Sequence, residues 1–595
     1  MYNGTAPPPT PHIDALALAG IRLESHYVNK LCSPSRTALL SGRYAYTNGM
    51  DDGVIVNGQN RDMALNLLTI GDRLQRAGWK TSNYGKWDAG MTTWGSTPTC
   101  RGFDHFEGFY SAASDYWSHM VGPGYDYHSD FKVEVNASNV YTTHKVTGAV
   151  QKWITEQVHR HEWERETKKK DDDNNDDLQT FAYVGHEAVH GPLEVPMKYI
   201  KGPCEKLIPA DRPIRRIYCG MVRAMDESIA NITKTYRQLG ILNDTLFILT
   251  GDNGGQPMVG GNNYPLRGGK ATAFEGGVRS IAFLSGAGIH PSLHGSVSHE
   301  IMHVTDWLPT IVGGVAGLDL SDNTTGRPCP TCNRKVAPLD GFNQWRMFSQ
   351  PNQTSLRTEV LLDLQTLAPN PAAGATRIPG SGAIRVGKWK LLHGHQGYYP
   401  GHCTVRQFNS LARKYPNPAI PIRKNETNPW CPYGWTPPPR ADGLYEPPRP
   451  PPECTSKRHD GGLPCHVPRN SGLVAGQTLL FDVVSDMEER HNVAKTNPDI
   501  VARLLAKLQK YNETHCGGSR CGIDDAGGPK GKPTGTDGPR GEPVWYPWRG
   551  DPHPTHCDTN RTAPFDASPD VEINPDFSKN AEELAERIYE WVHRN

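Results

Sequence analysis

The stretch Cys32-Ser33-Pro34-Ser35-Arg36, continuing through Thr37-Ala38-Leu39-Leu40 to Ser41-Gly42-Arg43, decides how the rest of the chain is read. Ser33 or Ser35 can cap a helix, Pro34 suits a first helical position, and Thr37 to Leu40 carry the helix inward, so Cys32 falls beside a helix N-terminus. Free backbone N–H groups and the positive end of the helix dipole, joined by Arg36 and Arg43, make such an end a site for an oxyanion and would lower the pKa of Cys32. The plainer alternative is a buried helix start with an inert thiol.

Upstream, residues 10–21 read as a short helix presenting Ile13, Leu16 and Leu18 and ending at Gly20, and Arg22 to Val28 read as a strand leading into the motif. Downstream, a helix over Leu67 to Ala77 precedes the strand Thr81-Ser82-Asn83-Tyr84 and then Gly85-Lys86-Trp87-Asp88. Ligands of a parallel α/β sheet gather at the carboxyl ends of strands, which is where Lys86 falls, although an exposed lysine reads the same way. The strand Phe181 to Val184 leads to Gly185-His186-Glu187-Ala188-Val189-His190-Gly191-Pro192. His186 to His190 fits the His-Glu-x-x-His pattern of zinc proteases, which needs both histidines on one face of a helix. A strand precedes the pattern and Gly191-Pro192 stops any helix, so zinc is not expected.

Ile214 to Leu239 reads as a long helix with Met221, Met225, Ile229 and Ile232 as its core stripe. Thr245 to Thr250 is an apolar strand of the kind buried on both faces in a parallel sheet. It delivers Gly251-Asp252-Asn253-Gly254-Gly255, whose side-chain oxygens suit a hard cation such as Ca2+ or Mg2+, or an ordinary turn.

At 595 residues the chain is long enough for a large α/β domain and a smaller one. Its 63 Lys and Arg balance 63 Asp and Glu, which argues against nucleic acid or a membrane surface held by bulk charge, and no apolar run is long enough for a transmembrane helix. Of 13 cysteines, Cys32 apart, the even remainder suits disulfides. Sequons at Asn3, Asn136, Asn231, Asn243, Asn323, Asn352, Asn425, Asn512 and Asn560 join the cysteines in pointing to the secretory pathway, lysosomal or extracellular. The charged run Glu162 to Asp177 reads as a solvated insertion.

Cys-x-Pro-Ser-Arg followed by Ser-Gly-Arg resembles the signature of the type I sulfatases, in which the Cys becomes formylglycine through a formylglycine-generating enzyme. Gly85-Lys86-Trp87, His190 before Pro192, Thr250-Gly-Asp-Asn-Gly-Gly255 and Pro265-Leu-Arg-Gly-Gly-Lys270 resemble further sulfatase motifs in the family order. His303 to Thr310 and Leu339 to Asn343 are most similar to the arylsulfatase B branch, which acts on N-acetylgalactosamine 4-sulfate. The resemblance implies an alkaline-phosphatase-like α/β fold, with a large mixed, mostly parallel sheet between helices and a smaller C-terminal antiparallel sheet. A loop rich in Pro, Ala and Gly near residue 375 divides the chain into a catalytic domain over 1–375 and a subdomain over 376–515 with a Pro-rich insertion at 415–470, followed by a loop-rich tail over 516–595 whose last helix presents Leu584, Ile588 and Trp591.

The implied activity is hydrolysis of a sulfate ester, on a sulfated glycan or an aryl sulfate. Formylglycine from Cys32 acts as nucleophile, Arg36, Lys86 and Lys270 bind the sulfate, His190 protonates the leaving oxygen, and Ca2+ or Mg2+ sits on Asp252, Asn253 and residue 32. Two departures stand out. The family has His where this chain has Asp88, which puts a negative charge near an expected anion, and the first strand with its Asp-Asp metal pair is not in the sequence, so an upstream signal peptide and strand are expected. The alternatives are a catalytically impaired sulfatase-like protein that binds sulfated glycans, and a phosphatase of the same superfamily, against which a cysteine nucleophile counts.

Overall fold

Two mixed sheets, each ending in an apolar edge strand, meet at the helix that carries residue 32. The structure, a computed structural model, describes residues 8–547 except 51–52, 56–57, 168–176, 209, 211–212, 257–259, 264, 322–337, 366–380, 395–477, 515–522, 525–531 and 535. One sheet has the order Leu246–Thr250, Ala282–Gly286, Ile21–Leu23, Val297–Ser298, with antiparallel pairings except the last. The other runs Thr180–Gly185, Lys80–Lys86, His105–Phe109, His128–Ser129, Lys132–Val133; its first two pairings are parallel and the others antiparallel.

The expectation that Leu246–Thr250 is buried on both faces of a parallel sheet is corrected. Among the described residues it is an edge strand, paired antiparallel to Ala282–Gly286 alone, and all five of its residues keep partial exposure. Thr180–Gly185 is likewise an edge. Ala182, Val184 and Phe247 pack on one core cluster with Tyr84, Val150 and Ile154, so the two edges flank the same region.

Several local expectations shift for reasons visible in the contacts. Arg22 to Val28 is not one strand. The chain pairs as Ile21–Leu23, turns at Glu24-Ser25, and pairs again as His26–Tyr27 with Met302–His303. In the helix Pro11–Ala19 the inward positions are Ile13 and Ala17, four apart, which leaves Leu18 59% exposed. The next helix starts at Ile70 because Thr69 caps it: its hydroxyl accepts from Asp72 N at 3.0 Å and the Asp72 carboxylate accepts from Thr69 N at 2.9 Å. A 26-residue helix, Thr142–Thr167, takes in the start of the charged run and packs Val146, Val150, Trp153 and Ile154 against Ile232 and Tyr236 of Pro213–Gln238.

The smaller sheet is antiparallel, in the order Glu359–Gln365, Ser381–Val386, Trp389–His393, Thr478–Asp482, and so begins upstream of the expected boundary near 375. The helix Pro498–Thr514 covers one face through Leu504 and Leu508. Of the tail, Val544 bridges to Thr534 and Tyr125, and Trp545 Nε1 donates to the Val121 carbonyl at 2.8 Å. The Pro-rich insertion, the last helix with Leu584, Ile588 and Trp591, and Cys329 and Cys332 lie outside the described residues. Cys204 and Cys219 form a disulfide, and Cys100 is also disulfide-bonded.

Buried charge joins the smaller sheet to the rest. Lys390 Nζ lies 2.8 Å from Glu275 Oε1 and 2.9 Å from Glu489 Oε1, with all three side chains out of solvent. The second oxygen of Glu275 accepts from Tyr27 Oη at 2.8 Å. Removing one member of such a cluster strands the others. Lys390→Ala is therefore expected to destabilise the fold by about 3–5 kcal/mol, read from a denaturant midpoint; a loss near that of an exposed lysine would show that the cluster is not what seats the sheet.

Candidate functional site

The helix Cys32–Ser41 begins without a side-chain cap. Its N-cap is Leu31, and Cys32 is already its first residue. Neither serine caps it as expected, because both hydroxyls are engaged elsewhere. Ser33 Oγ donates to Asp88 Oδ1 at 2.6 Å and accepts from Ile55 N at 2.9 Å, and Ser35 Oγ accepts from Asn29 N at 2.9 Å. Cys32 is buried and is the free cysteine among the described residues. Arg43 does not join the anion site: it lies past the other end of the ten-residue helix, about 15 Å away at 1.5 Å per residue, and donates to the Ser41 carbonyl.

Arg36 is the centre of the arrangement. Its Nε donates to Asp252 Oδ2 at 3.0 Å and its Nη1 to the Lys86 carbonyl at 2.8 Å. Burial disfavours its charge, but Tyr183, Asp252 and Asp88 outweigh burial and hold the guanidinium above its ordinary pKa. Asp252 is correspondingly held below the carboxylate range: burial opposes this, and Arg36, Lys86 and Lys270 override it.

Lys86 ends the strand Lys80–Lys86 with its side chain 2% exposed, its Nζ 3.3 Å from Asp88 Oδ2. Burial would lower its pKa; Cys32 and Asp88 raise it instead. The negative charge read as a conflict with a bound anion is thus placed against a cation and the hydroxyl of Ser33.

His190 and Lys270 are in contact, with Lys270 Nζ and His190 Nε2 2.8 Å apart. The Gly191 carbonyl accepts from His190 Nδ1 at 2.7 Å, so Nδ1 carries the ring proton and Nε2 accepts from the ammonium. Burial first, then Lys86 and Lys270, push the imidazole down to about 3. The nitrogen facing Lys270 is thus the acceptor in this arrangement, and the imidazole reaches the leaving-group side only in company with the Lys270 ammonium. His186 stands apart, its Nε2 3.3 Å from Ser228 Oγ, and residues 186–190 form no helix, so the zinc-protease pattern has no structural counterpart.

Asn253 Nδ2 donates to the Gly254 carbonyl at 2.9 Å, which leaves Oδ1 buried and without a hydrogen-bond partner. Asp252 and this oxygen fit a hard cation in kind but supply only two of the about six oxygens it takes. No group of three or more His, Cys, Asp or Glu suited to a metal occurs among the described residues.

Tyr183 and Glu187 were not picked out in the sequence. Tyr183, the one phenol in its strand, is buried close to Arg36, and burial raises its pKa further, so it faces the guanidinium as a neutral hydroxyl. A polar side chain in an otherwise apolar strand was the available signal. Glu187 accepts from Ser114 N at 2.7 Å, its other oxygen is buried without a partner, and burial pushes its carboxyl up to about 8. Glu194, which accepts from Tyr116 N at 3.1 Å, is also raised to about 8 by burial and by Asp115.

Together the site is a shallow anion receptor. Arg36 and Lys86 lie beside residue 32, each with one carboxylate on it, and Lys270 with the His190 imidazole faces them across Asp252. The Sulfatase family model matches residues 1–317, more than half of the chain, and the chain belongs to that family. It is a sulfuric ester hydrolase of the arylsulfatase kind. It is 28% identical over 522 residues to mouse arylsulfatase J, covering 85% of this chain and 72% of that one. It is 27% identical over 339 residues to mouse N-acetylgalactosamine-6-sulfatase, with coverages of 53% and 59%. Among solved structures, Ps i-CgsB in complex with k-i-k-neocarrahexaose superposes with a TM-score of 0.59 at 20% identity, covering 85% of this chain and 88% of that one, and the PsFucS1 sulfatase from Pseudoalteromonas sp. with 0.56 at 18%, covering 87% and 86%. These two support the alkaline-phosphatase-like fold. Sulfatases generally use a formylglycine and a divalent metal ion.

The raised carboxyls make stability depend on pH with a definite sign. Between the ordinary 4.5 and about 8, folded Glu187 keeps a proton that the unfolded chain releases, so its contribution is complete at the low end and is lost as pH rises. The melting temperature is expected to fall from pH 5 to pH 8, and to fall less in Glu187→Gln. A variant with the wild-type slope would show that Glu187 is ionised throughout.

Proposed function

We propose that the chain hydrolyses the sulfate ester of a glycan or aryl substrate at residue 32, with Cys32 converted to formylglycine. The observation that supports this is a buried free cysteine at a helix start beside Arg36 and Lys86, with Lys270 on the far side of the Asp252 carboxylate that Arg36 holds. The aldehyde hydrate supplies an oxygen nucleophile for sulfur and a second hydroxyl through which sulfate is expelled.

The residues around it have separable tasks. Arg36 and Lys86, fixed by the carboxylates they already hold, face the sulfate oxygens and stabilise charge there as the S–O bond to the substrate breaks. Lys270 is the resident proton donor for the leaving oxygen. His190 orients it, since Nδ1 is tied to Gly191 and Nε2 points at the ammonium. Asp252 and the free Oδ1 of Asn253, with residue 32, would hold Ca2+ or Mg2+, which would add positive charge beside the sulfate.

The name of N-acetylgalactosamine-6-sulfatase supports a sulfated glycan as substrate class and that of arylsulfatase J an aryl sulfate, and the motifs at His303 and Leu339 favour the arylsulfatase B branch. The disulfide Cys204–Cys219 and the exposed sequon side chains Asn136, Asn243 and Asn352 support passage through the secretory pathway as a glycoprotein, to a lysosomal or extracellular destination, where the formylglycine-generating enzyme would be met on the way.

Mass spectrometry of the peptide spanning residue 32, from protein made in a cell with the converting enzyme, is expected to show the aldehyde. Unmodified thiol alone would rule the mechanism out. With the aldehyde present, Lys270→Ala and His190→Ala are each expected to lower kcat for an aryl sulfate by about a hundredfold or more with smaller changes in KM, and wild-type turnover in either would misplace the pocket.

A further inference from the structure

We propose that Asp88 is a resident counter-anion with which an incoming sulfate must compete for Lys86, and that it thereby sets the affinity of the pocket for sulfate. The inference rests on the reading of this pocket as a sulfate site.

The geometry behind it is local. Strand pairing continues two residues past Lys86, through Trp87 N to the Phe109 carbonyl at 3.0 Å and Asp88 N to the Tyr110 carbonyl at 3.1 Å. The chain then turns at Asp88, which takes a φ of 54°, a region where a residue with a side chain is strained and where Asp is among the few tolerated. In this conformation the carboxylate faces back into the site. Oδ1 is taken by the Ser33 hydroxyl at 2.6 Å, while Oδ2 has no hydrogen bond and sees Lys86 Nζ at 3.3 Å.

Solvent does not screen the pair, since the two side chains are 2% and 0% exposed. Arg36 is likewise tied to a carboxylate, that of Asp252, whose charge Lys270 also faces while its own ammonium hydrogen-bonds to the His190 ring. A sulfate binding against Lys86 would lie about 6 Å from the Asp88 carboxylate, and two anions at that distance under partial burial repel by enough to lower affinity about tenfold or more. A family member with a neutral or donating group at this position would hold the product anion more tightly; here the pocket is built to let it go.

The experiment measures inorganic sulfate binding calorimetrically, at fixed ionic strength, on the full chain and on Asp88→Asn, Asp88→Gly, Lys86→Met and the Asp88→Asn/Lys86→Met pair. Glycine accepts the positive φ without strain, so it covers the case in which the asparagine variant folds poorly. Asp88→Asn and Asp88→Gly are expected to tighten sulfate binding about tenfold or more. In the Lys86→Met background the same change should matter less than about threefold, because the ammonium being competed for is gone. If Asp88 serves only to anchor Ser33 and Lys86, its removal weakens or leaves unchanged the affinity for sulfate, and either result overturns the proposal while leaving the pocket a sulfate site. Absence of sulfate binding in the wild type and in both Asp88 variants overturns the pocket reading and this inference with it.

Discussion

A single guanidinium holds the site together. Arg36 reaches from the helix Cys32–Ser41 to the Lys86 carbonyl at the end of one sheet and to Asp252 just past the edge strand of the other. Every other placement around residue 32 follows from those two bonds. Lys86 is aimed inward because its own carbonyl is tethered, and Asp252 is held as an anion within reach of Lys270. A buried arginine that lost one of these partners would carry an uncompensated desolvation cost, so the three elements are bound to act as a unit.

The site residues could be read from the sequence because each sits directly after a strand or at a helix start, where short motifs report geometry without knowledge of the rest. Arg36, Lys86, Lys270 and His190 all lie within electrostatic reach of Asp252, and Cys32 within that of Arg36 and Lys86. What could not be read was set by partners far away in the chain. Ser33 does not cap its helix because the helix already starts at Cys32 and the serine oxygen accepts instead from the backbone of Ile55, 22 residues on. The second nitrogen of His190 meets Lys270, 80 residues on, a contact that neither motif announces.

The fold was readable to a similar depth. The strand at 180–185 and the helix at 213–238 carry strong apolar patterns, whereas the first strand of the smaller sheet, Glu359–Gln365, lies ahead of the boundary read near 375. The helix Thr142–Thr167 went unseen since Thr, His, Gln and Glu fill most of its surface and the apolar stripe is thin. An apolar run such as Leu246–Thr250 looks the same whether one side or both are paired, so its place at an edge had no signature. Glu275 and Lys390 would each read as ordinary surface charges, yet they meet out of solvent, and Glu275 stands five residues from Lys270. The smaller sheet is thereby tied to the segment that carries Lys270.

The two edge strands also bear on motion. Among the described residues, Thr180–Gly185 and Leu246–Thr250 each have one side of their hydrogen-bonding ladder unshared, and nearly all of their side chains keep some contact with solvent. Backbone amides on such sides exchange with water without any unfolding of the sheets behind them. The strands that lead into His190 and Asp252 therefore belong to the low-stability end of the molecule. The precision of the site comes from ionic cross-links made beyond the strand ends, and loosening those links would be felt as local opening long before the core gave way.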